Sequence, residues 1–198
     1  MKKSIVLIIA LLCVVLFSNA VIAADDVLNI GVIQYVEHEA LDAAYKGFVD
    51  GLAEAGYVDG ENIAIDFQNA QADQSNLKTI ADRFVNNKVD LILAIATPAA
   101  QAVASATTDI PIMVTAVTDL VGARLVESNE VPGTNVSGTT DMNPIDKQMA
   151  LIVQLFPDAK TVGVIYNSSE DNSKIQADMA KEEMEKLGLT YEEGTVTS

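Results

Sequence analysis

The chain of 198 residues carries 28 acidic against 12 basic side chains, a formal net charge of −16. That balance argues against nucleic acid as a partner, since neutralising phosphates needs clustered Lys and Arg, and against anionic membrane surfaces. Apolar residues make up 49% of the chain, enough for a proper core in one large domain or two small lobes.

The amino terminus stands apart. Lys2 and Lys3 precede an unbroken apolar run over residues 5–17, and small residues follow up to Ala24. This is the layout of a secretory signal peptide. Cleavage is expected after Ala23, with Ala20 and Ala24 as alternatives. Residues 1–23 are therefore read as the signal, and a periplasmic or otherwise extracytoplasmic location follows. The run is short of the ~20 residues of a membrane span, so no membrane insertion is expected after cleavage. Cys13 is the sole cysteine and follows Leu12, whereas a lipidated cysteine follows small residues. The mature chain then has no thiol or disulfide chemistry. Losing Lys2 and Lys3 takes its charge to −18.

Residues 27–33 predict a first strand, and 34–39 a polar loop holding Tyr35 and the only histidine, His38. Residues 40–55 show helical periodicity, with Leu41, Ala44, Tyr45, Phe48, Val49 and Leu52 on one face. Gly47 and Gly51 on that helix suggest close packing on a sheet, and Gly56 ends it. Residues 62–67 alternate as a strand near a sheet edge, and 76–86 form an amphipathic helix. Residues 91–96 read as a buried parallel strand that stops at Thr97-Pro98, before a helix of small residues including Ala99. Thr97 can cap that helix, and Pro98 suits its first turn. Free N–H groups and the helix dipole make its start a natural seat for a carboxylate or phosphate.

Residues 112–117 are the next strand, containing Thr115, followed by a sharp turn with Asp119. A short strand over 135–139 leads to Asp141. Residues 145–155 are helical, with Pro144 in the first turn and Asp141 or Asn143 placed to cap. A strand over 160–166 ends in Tyr166. Asn167, Glu170 and Asn172 follow in a polar loop, and Ser173 opens a helix to 187 before a last strand from 189. Strands alternating with helices mean an α/β protein with parallel sheets and flanking helices. Ligands in such sheets sit beyond the carboxyl ends of the strands, where all these polar residues cluster. The second βα series is too small for an independent core; either it packs onto the first sheet or the chain is part of something longer.

No phosphate loop, dinucleotide fingerprint or nucleophile elbow is present. Glu37-His38-Glu39 is the one metal candidate, and it lacks the paired histidines of a zinc helix. No metal or cofactor is therefore expected. Carboxylate chemistry by Glu37, Asp119, Asp141 or Glu170 stays open as an alternative.

Five blocks carry a family resemblance: residues 31–38 with 41–52; Asp66 to Gln71 with Asp73, Gln74 and Ser75; Ile95 to Gln101; Val117, Thr118 and Asp119 with Gly122 and Ala123; and Tyr166 to Ser173. Together they resemble the substrate-binding proteins of ABC importers, of the type I periplasmic-binding fold, in the group that binds tryptophan and other aromatic amino acids. The similarity spans residues 29–198. Leu120 departs from it, because the family usually has proline there. Members are also longer, so the resemblance implies that this chain is truncated. It implies a first lobe over 24–140, the start of a second over 141–198, and a small ligand, an amino acid, between them. Lobe one would offer Tyr35, His38, Thr97, Pro98, Ala99, Thr115 and Asp119. Lobe two would offer Asp141, Tyr166, Asn167, Glu170, Asn172 and Ser173. The start of the helix at Thr97-Pro98-Ala99 would take the ligand carboxylate, Asp119 or Glu170 an α-ammonium, and Tyr35 an aromatic side chain. Thr97 and Asn172 are equally readable as plain helix caps. The implied partner is an ABC permease at the membrane; a signalling partner is the alternative.

Overall fold

The computed structural model describes residues 27–197. The expected signal peptide (1–23) and Cys13 lie outside them. Among the described residues no helix is long and apolar enough to cross a membrane.

The elements run β1 (Leu28–Gln34), α1 (Glu39–Glu54), β2 (Ile63–Asn69), α2 (Gln74–Asn87), β3 (Leu91–Ile95), α3 (Thr97–Ala106), β4 (Ile112–Val117), β5 (Val136–Thr140), α4 (Ile145–Leu155), β6 (Thr161–Asn167), α5 (Asp171–Lys186) and β7 (Thr190–Val196). Five strands form one sheet in the order β2-β1-β3-β4-β5, and β6 and β7 form a second. Every pairing is parallel. The second βα series therefore does not join the first sheet. It builds a sheet of its own, backed by Ile145, Met149, Ala180, Met184 and Leu189. Ile165 of β6 stays 80% exposed.

Side chains of a strand alternate between its two faces, and β1 shows how the first sheet uses this. Ile33 packs with Leu77, Phe84, Ala99 and Val103 of α2 and α3. Ile30 and Val32 pack on the other face, where Leu41, Tyr45, Phe48 and Leu52 of α1 lie over them. Helix α2 starts two residues before the expected 76 because Asp73 caps it, with Oδ1 accepting from Ser75 N at 2.7 Å and Asn76 N at 2.9 Å.

The glycines reverse one expectation. A Cβ at Gly47 or Gly51 would meet nothing within 4 Å, so neither packs against the sheet; α1 has no fully buried residue. The close approach lies at Gly31 instead, where a Cβ would come 2.7 Å from the Phe84 ring. Helix α2 thus sits directly on the backbone of β1. Gly31→Ala should destabilise the fold by about 1–3 kcal/mol through overpacking. A lowered urea midpoint at unchanged slope is the expected outcome; an unchanged midpoint would show that Phe84 moves aside freely.

Candidate functional site

Because all strands of the first sheet are parallel, every βα junction lies along one edge. The chain runs from β1 outward to β2 and then back past β1 to β3. The crevice at such a reversal is where open α/β sheets bind ligands. Here it lies between the loop after Gln34 and the start of α3.

That crevice is tightly tied. Tyr35 N donates to Ile95 O at 3.2 Å, and Ala72 N donates to Tyr35 O at 2.8 Å. Gln34 is fully buried; its Nε2 donates to Val36 O at 2.9 Å and Asp42 Oδ1 at 2.7 Å, while its Oε1 has no partner. Strand β3 turns into α3 at Ala96, with φ 82° and ψ 153°. Ala96 N donates to Thr115 O at 3.1 Å, pinning the turn to β4.

Thr97 does not cap α3, contrary to the capping expectation. The helix includes Thr97, and the cap position falls to Ala96, whose methyl group accepts no hydrogen bond. Thr97 is 2% exposed and its hydroxyl has no partner. Pro98 and Ala99 are buried beside it. Thr115 Oγ1 accepts from the Thr139 hydroxyl at 3.2 Å. Asp119 commits Oδ1 to its own turn, accepting from Val121 N and Gly122 N at 3.0 Å each. Asp141 is exposed just after β5.

On the second sheet, Asn167 Nδ2 donates to Glu170 Oε1 at 2.8 Å, and Asn167 Oδ1 accepts from Ser169 N at 3.0 Å. Asn172 Nδ2 makes a long contact of 3.5 Å to Glu170 Oε2, while its Oδ1 is buried without a partner. Asn172 lies inside the first turn of α5, so it is not a cap; Glu170 holds the cap position but its side chain makes no cap bond. Ser173 is half-buried in the same turn. In α4 the cap position is Pro144, and neither Asp141 nor Asn143 fills it; Asn143 donates to Gln176 Oε1 at 2.9 Å instead.

The two sheets meet at these residues. The Tyr35 phenol is held above its ordinary pKa of 10.0, first by burial and then by the charge of Glu170 and a hydrogen bond to it. Beside this pair, Gln101 Nε2 donates to Asp171 Oδ2 at 3.0 Å. The structure therefore brings Tyr35 to Glu170, and Glu170 to Asn167 and Asn172. Two expected site residues are engaged elsewhere. His38 is exposed and caps α1, its Nδ1 accepting from Ala40 N at 3.2 Å. Tyr166 donates to Glu193 Oε2 at 3.1 Å within the second sheet. Among the described residues no group of three or more His, Cys, Asp or Glu is placed to hold a metal. Gln34, Gln101 and Asp171 were not singled out from the sequence. Gln101 lies one turn beyond Thr97 on the same helix face, the one signal that pointed to it.

This is a parallel α/β fold of the type I periplasmic-binding class, with polar residues gathered where two sheets meet. The model of the family described as ABC transporter substrate binding protein matches residues 29–198, and the chain belongs to that family. It is 59% identical over 150 residues to a tyrosine-binding protein of Clostridioides difficile strain R20291, covering 76% of this chain and 44% of that one. A Streptococcus pneumonia ABC domain in complex with L-Trp is 49% identical at a TM-score of 0.84. A ligand-free, open substrate-binding protein with adhesive properties from Clostridium difficile is 53% identical at a TM-score of 0.68. Each structural match covers 87% of this chain and 58% of the other. The chain thus spans about half the length of these relatives.

The raised Tyr35 pKa has a spectroscopic signature. The ultraviolet titration of wild type minus Tyr35→Phe should show a phenol ionising above pH 10.0. Its folded pKa exceeds its unfolded one, so the stability linked to Tyr35 is fully present below the unfolded pKa and is lost as pH rises through the folded one. In Glu170→Gln the titration should move back part of the way, leaving the effect of burial. A Tyr35 titration insensitive to Glu170→Gln would contradict the pairing.

Proposed function

We propose that this chain is the ligand-binding part of an extracytoplasmic substrate-binding protein of an ABC importer. It holds an aromatic amino acid between a first lobe (24–140) and a second (141–198) and delivers it to a membrane permease. The observation that carries this reading is the pair of buried polar atoms without partners, Thr97 Oγ1 and Asn172 Oδ1. Leaving such an atom unsatisfied costs about 1–3 kcal/mol, and a ligand supplies what the protein does not.

The chemistry fits an amino-acid zwitterion. The uncapped start of α3 offers N–H groups, positive dipole character and the Thr97 hydroxyl to a carboxylate. Glu170 and Asn172 Oδ1 accept from an ammonium, with Asp119 as the alternative anion. Tyr35, half-buried beside Glu170, offers a ring to an aromatic side chain. The tyrosine-binding and L-Trp-bound relatives support this ligand class. Export rests on the amino-terminal sequence.

A thermal-shift panel of the common L-amino acids tests the reading. Tyrosine, tryptophan or phenylalanine should raise the midpoint in a concentration-dependent way. Thr97→Val and Glu170→Gln should each weaken binding about tenfold, the equivalent of one hydrogen bond to a charged group. A midpoint unmoved by every amino acid would overturn the assignment.

A further inference from the structure

We propose that Gln101 and Asp171 form a closure latch that sets how long the ligand is retained, without either residue touching it. The inference rests on the interlobe reading of the site.

The two side chains come from different sheets and meet at 3.0 Å, with Gln101 Nε2 donating to Asp171 Oδ2. Gln101 is fixed from its own side, because Nε2 also donates to Ala123 O at 3.1 Å. Asp171 faces it as the first residue of α5, where the helix dipole favours a carboxylate. The tie to Ala123 O restrains Gln101, so less of its side-chain entropy is lost in making the contact. A second contact backs the first. Ile175, one turn along α5, reaches Gly122, where a Cβ would lie 2.7 Å from Ile175 Cδ1. A Cβ there would make Ile175 Cδ1 and the Asp119 carboxylate, both ends of flexible side chains, move aside.

Gln101, Ala123 and Asp171 line a cavity of about 380 Å³ together with Ser105, Arg124 and Leu125. None of the residues proposed to hold the ligand lines it. The contact is thus lateral to the Tyr35–Glu170 pair, and opening the lobes must break it. The acceptor is charged, so the bond is stronger than a neutral one. A bond made only in the closed state slows opening and leaves capture unaffected.

Charge introduction and rescue separate this role from simple structural support. Gln101→Glu sets a carboxylate against Asp171. It should raise the dissociation rate of tyrosine or tryptophan about tenfold, with the association rate unchanged. Adding Asp171→Asn restores a donor opposite the introduced carboxylate and should recover most of the loss, although Ala123 O stays unpaired in both variants. A ligand-independent readout runs alongside. The described residues contain no cysteine, so spin labels at Glu61→Cys and Glu182→Cys, one exposed site in each lobe, report the interlobe distance. Gln101→Glu should broaden and lengthen that distance, and Asp171→Asn should restore it. Unchanged dissociation and an unchanged distance distribution would overturn the latch. If wild type binds no amino acid while the distances respond as described, the ligand assignment fails and the latch stands.

Discussion

The site depends on the backbone at Ala96. With φ 82° and ψ 153°, this alanine occupies a region that L-residues avoid, at about 1–3 kcal/mol. The turn lets β3 become α3 with no intervening loop, so the start of the helix lies hard against the strand ends. Ala116, inside β4, also has a positive φ, 54°, where the pairing of β4 with β5 shifts register between Val114 and Val117. The strain is held by what surrounds it: Ile95, Ala99 and Ala100 are fully buried, and Thr115 O accepts the Ala96 N–H. One consequence is that the cap position carries a methyl group. The helix keeps its first N–H groups and the Thr97 hydroxyl unspent, which a conventional capping residue would have consumed.

Electrostatics narrow what such a site can hold. The protein is strongly acidic overall, so a bare anion meets a repulsive field on approach. A zwitterion does not. The start of α3 offers a local positive end, and Glu170 offers a negative one on the second sheet. Glu170 is held in position by Asn167, and burial together with the Glu170 charge raises the pKa of the Tyr35 phenol. In the proposed function, closing the sheets on a zwitterion would assemble complementary charges from opposite sides.

Much of the fold was legible because it is written locally. The alternation of strand and helix, the parallel sheets and the gathering of polar residues at strand ends all follow from short-range pattern. The misreadings are non-local or conformational. Gly47 and Gly51 sit on the open side of α1, while the true close contact, Gly31 against Phe84, joins residues far apart in the chain. No local periodicity reports such a pair. Thr97 looked like a cap because the usual rules place a Ser, Thr, Asp or Asn before the helix; they do not allow an alanine at positive φ to take the position. The contact between Gln101 and Asp171 joins residues brought together only by the packing of two sheets. The family blocks named the loops that meet, and geometry decided which side chains in them touch.

The carboxylate seat at the start of α3 is the centre of this reading, and calorimetry tests it most directly. L-tyrosine and tyramine share a ring and an ammonium and differ in the carboxylate. If α3 and Thr97 hold that group, tyramine should bind about a hundredfold more weakly, the equivalent of one or two charge-assisted hydrogen bonds. In Thr97→Val the gap should narrow. Equal affinity for the two ligands would contradict the seat and move the recognition of the ligand elsewhere in the protein.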